Sequence, residues 1–177
     1  MINLKPYMNF VEKILSDDKE YILADDRVGL SFCKDTNMGY IGRYDRSEDI
    51  VYVNLYAINF YVNQINEPYT IENFLIHELH HKYQYKCVSL YENNSKECAD
   101  LDYARKCKES FDSYVTPEQD KDKYHMQFVE LDAFAYTYAI MCLKYGKVDY
   151  LKPPAILVKN VEFNERVSFY QEFFSMR

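Results

Sequence analysis

A chain of 177 residues, 48% of them hydrophobic, can bury a core as one domain without disulfides or oligomer contacts. Its formal net charge of −7 argues against nucleic acid and anionic membrane as partners, because both attract clusters of Lys and Arg that the sequence lacks. Five cysteines without a CxxC pair, no apolar leader and no 18-residue apolar run predict a cytoplasmic protein with reduced thiols.

The N-terminal third has the pattern of one helix followed by short strands. Apolar residues at helical spacing predict an opening helix over residues 8–15. Between residues 21 and 55, short β-branched or aromatic segments alternate with polar turns, which predicts a small antiparallel sheet. The predicted strands are residues 28–32, 38–42 and 50–55.

The remainder is predicted to be mostly helical. Thr70 is predicted to be the N-cap of a helix within residues 70–87, and Gly146 is predicted to end a long apolar helix. The other predicted helices are residues 56–65, 92–114, 124–145 and a final one that is capped by Asn160 and ends near 174. Residues 155–158 are the one segment after residue 55 with a strand pattern. The sequence therefore predicts a single α+β domain, 1–177, in which the sheet packs on a helical C-terminal part.

One helical turn holds three of the four histidines and a metal-binding pattern, His77-Glu78-x-x-His81. Four residues advance a helix by about 6 Å and return to nearly the same face, so both imidazoles can reach one ion. Zinc peptidases use this arrangement, with the glutamate as general base. We expect His77 and His81 to be metal ligands and Glu78 to be the base. His80, between them, is expected at the surface or in a hydrogen bond.

A catalytic zinc needs a third protein ligand, for which the chain offers several candidates. Cys87 occupies the slot of the last ligand in HExxHxxGxxH proteins, but Gln84 replaces the glycine that would turn the chain back. The carboxylates of the 92–114 helix alternate with basic residues, as on a solvated helix face. Neither set is favoured.

Glu130 and Asp132 are the stronger candidates, because a carboxylate in an apolar helix is costly unless it is paired or metal-bound. They lie about 200° apart around the helix, so they cannot serve one ion in the same way. We favour Glu130 as the ligand. Asp132 is then a candidate hydrogen-bond acceptor behind a metal ligand, or the ion-pair partner of a residue that the sequence does not identify.

With HExxH on one helix and a glutamate on a later one, the chain resembles the gluzincin branch of zincin metallopeptidases. A strand ending near Asn54, the HExxHxxQ run from His77 and the ExDAxxY run from Glu130 resemble, more narrowly, the compact intracellular ImmA/IrrE-type peptidases, which cleave repressors of mobile elements. The resemblance covers about residues 50–145. It implies a zincin-like fold, one Zn²⁺ ion and a protein or peptide substrate.

The sequence departs from this pattern at two points. Larger gluzincins carry an Asp four residues after the ligand glutamate, where this chain has Phe134, and no helix-turn-helix DNA-binding segment is evident.

In zincins an edge strand holds the substrate, and residues 50–55 are the expected strand here. His125 and Tyr124 are the expected candidates for stabilising the oxyanion, because they lie just before Glu130.

These patterns predict a zinc metallopeptidase that hydrolyses peptide bonds with a metal-activated water and Glu78 as general base. Two other interpretations remain open. A non-catalytic zinc protein would close the site with a fourth ligand, such as Cys98 or Cys107. An interaction protein, such as an inhibitor of a mobile element, would instead bind a host factor through a Tyr-rich acidic surface. The sequence does not indicate the oligomeric state.

Overall fold

The computed structural model describes residues 5–23, 29–36, 41–146 and 151–176. Helices account for most of these residues and a three-stranded sheet lies in the N-terminal third, so the α+β prediction is confirmed. The strands are β1 (Gly29–Cys33), β2 (Gly42–Asp45) and β3 (Ile50–Asn54). The helices are α1 (Lys5–Asp17), α2 (Leu55–Ile58, continued by a π-helical turn, Asn59–Gln64), α3 (Tyr69–Glu92), α4 (Leu101–Asp112), α5 (Lys121–Met126), α6 (Phe128–Tyr145), α7 (Ala155–Val158) and α8 (Val161–Ser175).

The sheet is mixed, so the prediction of an antiparallel sheet is wrong. Its strand order is β1-β3-β2, with β1 parallel and β2 antiparallel to β3. The β2–β3 connection is a four-residue turn, which reverses the chain, whereas β1 pairs with β3 and not with its sequence neighbour. Alternation of side chains reveals a strand but not its neighbours, which depend on packing. Of the predicted strand 38–42, residues 38–40 lie outside the described part of the chain.

By its internal contacts the chain divides into two compact units, Met1–Leu79 and His80–Arg177, and the division falls inside α3. The single-domain assignment stays a prediction. In the first unit, Val51 and Val53 of β3 are fully buried, as alternation on a strand requires. They share a core with one face of α3, made of Ile71, Leu75 and Leu79 at four-residue spacing. Gly42 lets β2 approach closely, because a Cβ there would lie 1.9 Å from the Tyr52 carbonyl oxygen.

The second unit is built around α6, of which most residues from Val129 to Met141 are buried. The predicted helix 124–145 is broken at Gln127, whose backbone is extended (φ −69°, ψ 144°). The Gln127 side chain accepts the Val115 N–H and donates to the Val115 carbonyl, both at 3.0 Å. These two bonds hold an extended residue where the apolar pattern indicates continuous helix. Gly146, at φ 75°, ends α6 as predicted.

The predicted helix 92–114 is also wrong in extent. Of its first residues only Glu92 belongs to α3, which is followed by a turn where Asn94 has φ 50° and the Ser95 N–H donates to the Leu90 carbonyl. Asp100 then caps α4 by accepting the Tyr103 N–H at 2.9 Å. The turn at Asn94 and the helix cap at Asp100 therefore divide a segment that charge alternation alone predicts to be one helix.

The last predicted elements have mixed outcomes. Residues 155–158 form the single helical turn α7 and not a strand; four apolar residues cannot distinguish the two by periodicity. Asn160 caps α8 as predicted, because its Oδ1 accepts the Phe163 N–H at 2.8 Å. Among the helices of the described residues, none combines the length and hydrophobicity needed to cross a lipid bilayer.

Candidate metal centre

Helix α3 carries the two histidines of the HExxH pattern one turn apart. It begins at Tyr69, so Thr70, predicted as its N-cap, lies inside the first turn. Its apolar face is buried in the first unit's core, whereas His77 and His81 lie about 140° around the same continuous helix from that face. Each histidine is only 8% exposed. Two imidazoles buried at this spacing need polar partners.

Glu130 of α6 is one of these partners. Its Oε1 lies 3.4 Å from His81 Nε2, and the residue is 1% exposed. His77, His81 and Glu130 each offer one ligand atom, and the three atoms lie within 4.8 Å of one another. Two ligands bound to zinc at 2.0–2.1 Å in a tetrahedron are about 3.4 Å apart, which matches the His81–Glu130 separation. This buried group can hold a metal ion, as predicted for these three residues.

The competing ligand candidates are not in this group. Among the residues that the structure describes, the cluster contains neither Cys87 nor Asp132. Cys87 is a half-buried thiol whose pKa is raised by burial, and a raised pKa disfavours the thiolate that binds metals.

Gln84 contacts both the site and the helix that supplies Glu130. Its Oε1 lies 2.8 Å from His81 Nδ1, and its Nε2 donates to the Val129 carbonyl at 2.9 Å and to Asp132 Oδ2 at 3.0 Å. Gln84 is fully buried. Gln84 ends the HExxHxxQ run, but no contact was predicted for its side chain; its position three residues after His81, on the same helical face, is the signal for its role.

Asp132 is the centre of a buried polar network, as its place in an apolar helix predicts. Oδ2 accepts from His80 Nε2 (2.7 Å), Tyr103 OH (2.7 Å) and Gln84. Oδ1 accepts from Tyr170 OH (2.8 Å) and from the guanidinium of half-buried Arg166, which is the ion-pair partner that the sequence left unidentified. Asp132 therefore binds α3, α4 and α8 to α6.

The charges in this network follow from burial and from the partners of Asp132. Burial alone would raise the pKa of Asp132, but His80, Arg166 and Tyr103 outweigh it and keep that pKa below its ordinary value. Burial lowers the pKa of His80, so its ring is neutral and donates through Nε2. Among the described residues, the buried His80 Nδ1 has no hydrogen-bond partner. In this tautomer Nδ1 carries a lone pair and no proton, and leaving an acceptor unpaired costs less free energy than leaving an N–H unpaired. His80 is thus hydrogen-bonded but not at the surface.

Glu78, the predicted general base, is half-buried and accepts the Tyr44 N–H through Oε2 at 2.7 Å. Ile41, just before β2, bonds β3 because its carbonyl accepts the Asn54 N–H. In an antiparallel pair every second residue directs its backbone groups toward the partner strand, so Ile41 and Arg43 face β3 and the Tyr44 N–H points away from it. The backbone edge of β2 therefore orients the carboxylate. The expectation that residues 50–55 hold a substrate strand is wrong, because β3 is the central strand and is paired on both sides.

A tyrosine that the sequence analysis did not single out also reaches the cluster. Tyr114, 40% exposed and just beyond α4, donates its hydroxyl to Glu130 Oε1 at 2.6 Å. Of the expected oxyanion candidates, the Tyr124 ring meets the Tyr114 ring edge-on at 6.2 Å between centroids, and the His125 ring lies 5.6 Å from that of Phe134. Tyr114 is 16 residues from Glu130, and only the fold brings them together.

Comparisons of the chain with protein-family models, with curated proteins and with solved structures gave no match.

Proposed function

We propose that the protein is a zinc-dependent hydrolase of peptide bonds. The observation that carries the proposal is the convergence of the ligand atoms of His77 and His81, on α3, with that of Glu130, on α6; α3 also carries Glu78. Two imidazoles, one carboxylate and an adjacent glutamate are the set that zinc peptidases require.

The ligand atoms of the cluster favour zinc bound in a catalytic site and not in a structural one. Zinc accepts nitrogen and oxygen ligands, and its catalytic sites have three protein ligands, whereas structural sites have four and often include Cys. Within the described part of the chain, the group has three members and no thiol. This composition favours the hydrolase over a closed structural zinc site completed by Cys98 or Cys107.

The residues then have distinct roles. A zinc ion held by His77, His81 and Glu130 would supply a Lewis acid that lowers the pKa of a water molecule and polarises the substrate carbonyl. Glu78 takes the proton of the attacking water and later gives it to the leaving amine. The Tyr44 N–H holds Oε2 and so fixes the direction of that carboxylate. The Tyr114 hydroxyl, which contacts Glu130 Oε1, is the donor that we assign to the developing oxyanion.

The substrate class is inferred from the resemblance to zincin peptidases together with charge. A net charge of −7 disfavours nucleic acid, and peptide-bond hydrolysis matches the HExxH pattern. We therefore expect a protein or peptide substrate.

Removal of the metal tests the proposal directly. Wild-type protein purified in the presence of zinc is expected to contain about one Zn²⁺ per chain and to cleave members of a peptide library made from denatured proteins. A chelator should abolish cleavage, and added zinc should restore it. Zinc content by mass spectrometry and cleavage products by liquid chromatography measure the two quantities. Protein that binds no zinc, or cleavage that persists without metal, would contradict the proposal.

The contribution of Glu130 can be measured separately. Glu130→Gln keeps the side-chain shape but removes the charged ligand, so zinc affinity should fall by about 100-fold or more, beyond the loss typical for a residue that only supports a ligand. Glu72→Gln is the matched control, since Glu72 is a buried acid of α3 outside the cluster and its change should leave zinc affinity intact. Competition with a chromophoric chelator gives both values; equal affinities would remove Glu130 from the ligand set.

A further inference from the structure

We propose that Gln84 and Asp132 form a relay that fixes His81 as the Nδ1–H tautomer and turns the lone pair of its Nε2 toward Glu130. In its consequence for metal binding the inference rests on the proposed zinc site. The orientation of His81 itself does not depend on it.

The direction of the Gln84 amide follows from its neighbours. The group that faces the Val129 carbonyl and Asp132 Oδ2 meets two acceptors, and only the NH₂ side of an amide can donate to both. The opposite orientation would place the amide oxygen against a carbonyl and a carboxylate. Oε1 is therefore the atom 2.8 Å from His81 Nδ1.

The tautomer of His81 follows from that orientation. A carbonyl oxygen only accepts, so Nδ1 must carry the proton in this contact. In the neutral ring Nε2 is then unprotonated, and this is the atom 3.4 Å from Glu130 Oε1. An imidazole binds a metal through such a lone pair, and a partner on its other nitrogen normally sets which one is presented.

Asp132 maintains the direction of Gln84 because its Oδ2 accepts from the Gln84 amide together with His80 and Tyr103. A carboxylate is an acceptor only, and the partners described above, including the Arg166 guanidinium, compensate its charge. Arg166 also lies over the rings of Tyr103 and Phe128, each at 5.3 Å, which holds the guanidinium in place. Helix α8 thereby supports a histidine on α3 through two intervening side chains. Asp132 and Gln84 are positioning residues, since they act through His81.

Two substitutions of Gln84 separate this role from a purely structural one. Gln84→Met removes both the acceptor for His81 and the donors to α6. Gln84→Glu keeps an acceptor for His81 Nδ1–H but sets a carboxylate beside Asp132. Both should destabilise the fold, whereas only Gln84→Met should change the tautomer. Thr137→Val is the control, since Thr137 is buried in α6 and its hydroxyl donates to the Ala133 carbonyl of the same helix.

The measurement is the pair of His81 ring ¹⁵N shifts in metal-free protein at pH 8, followed by zinc affinity from chelator competition. Wild type, Gln84→Glu and Thr137→Val should show Nδ1–H. Gln84→Met should show a mixture or Nε2–H and bind zinc about 10–100-fold more weakly. Wild-type His81 as Nε2–H, or Gln84→Met with unchanged tautomer and affinity, would overturn the relay. If wild type binds no zinc, the proposed function fails, and the ring shifts still decide the relay.

Discussion

Replacing Asp132 by alanine is expected to lower the free energy of unfolding by about 3–5 kcal/mol, because removing one partner of a buried ion pair leaves an uncompensated charge. Asp132 is 0% exposed, and Arg166 would lose its carboxylate partner. His80, Tyr103 and Tyr170 would each lose an acceptor in the interior as well. Urea unfolding followed by circular dichroism measures the loss.

Two comparisons make this prediction specific. Asp102→Ala removes an exposed carboxylate of α4 that pairs with Arg105, and exposed pairs contribute little, so its midpoint should hardly change. Adding Arg166→Met to Asp132→Ala removes the unpaired charge, so the double variant should be more stable than the sum of the single losses predicts. An Asp132→Ala protein as stable as Asp102→Ala would show that the network does not hold the fold together.

Replacing Glu78 by glutamine should lower kcat/KM for peptide cleavage by about 10²–10⁴-fold, the usual contribution of a general base. The amide is close in shape to the carboxylate, and its oxygen can still accept the Tyr44 N–H, but it cannot take a proton from water. Zinc content should stay at the wild-type level because Glu78 is not in the ligand group. Steady-state kinetics on a cleaved library peptide, with zinc measured on the same sample, checks both values.

The control for this variant is Glu72→Gln, another α3 acid changed in the same way outside the cluster, which should keep its activity. A Glu78→Gln protein with full activity and full zinc content would contradict the general-base role while leaving the metal site standing. Loss of activity together with loss of zinc would instead show that Glu78 supports the ion.

Some features of this molecule were determined by the sequence alone, because they depend on local geometry. The four-residue spacing of His77 and His81 places them on one helical face wherever that helix lies. The Asn160 cap and the Gly146 stop act within one turn, so their residue types suffice to predict them. Burying an unpaired carboxylate costs free energy, so the apolar helix around Glu130 and Asp132 indicates that both need partners. The structure supplies these partners.

Tertiary structure alone decided the identity of those partners. The hydrogen bonds of Asp132 span 29 to 52 residues of sequence, and no periodicity reports such a distance. Packing also decided that β3 is the central strand and that the Gln127 amide interrupts a continuous apolar pattern. Local patterns reflect the backbone's own periodicity, whereas strand neighbours and buried polar pairs are chosen by the free energy of satisfying every group in the interior at once.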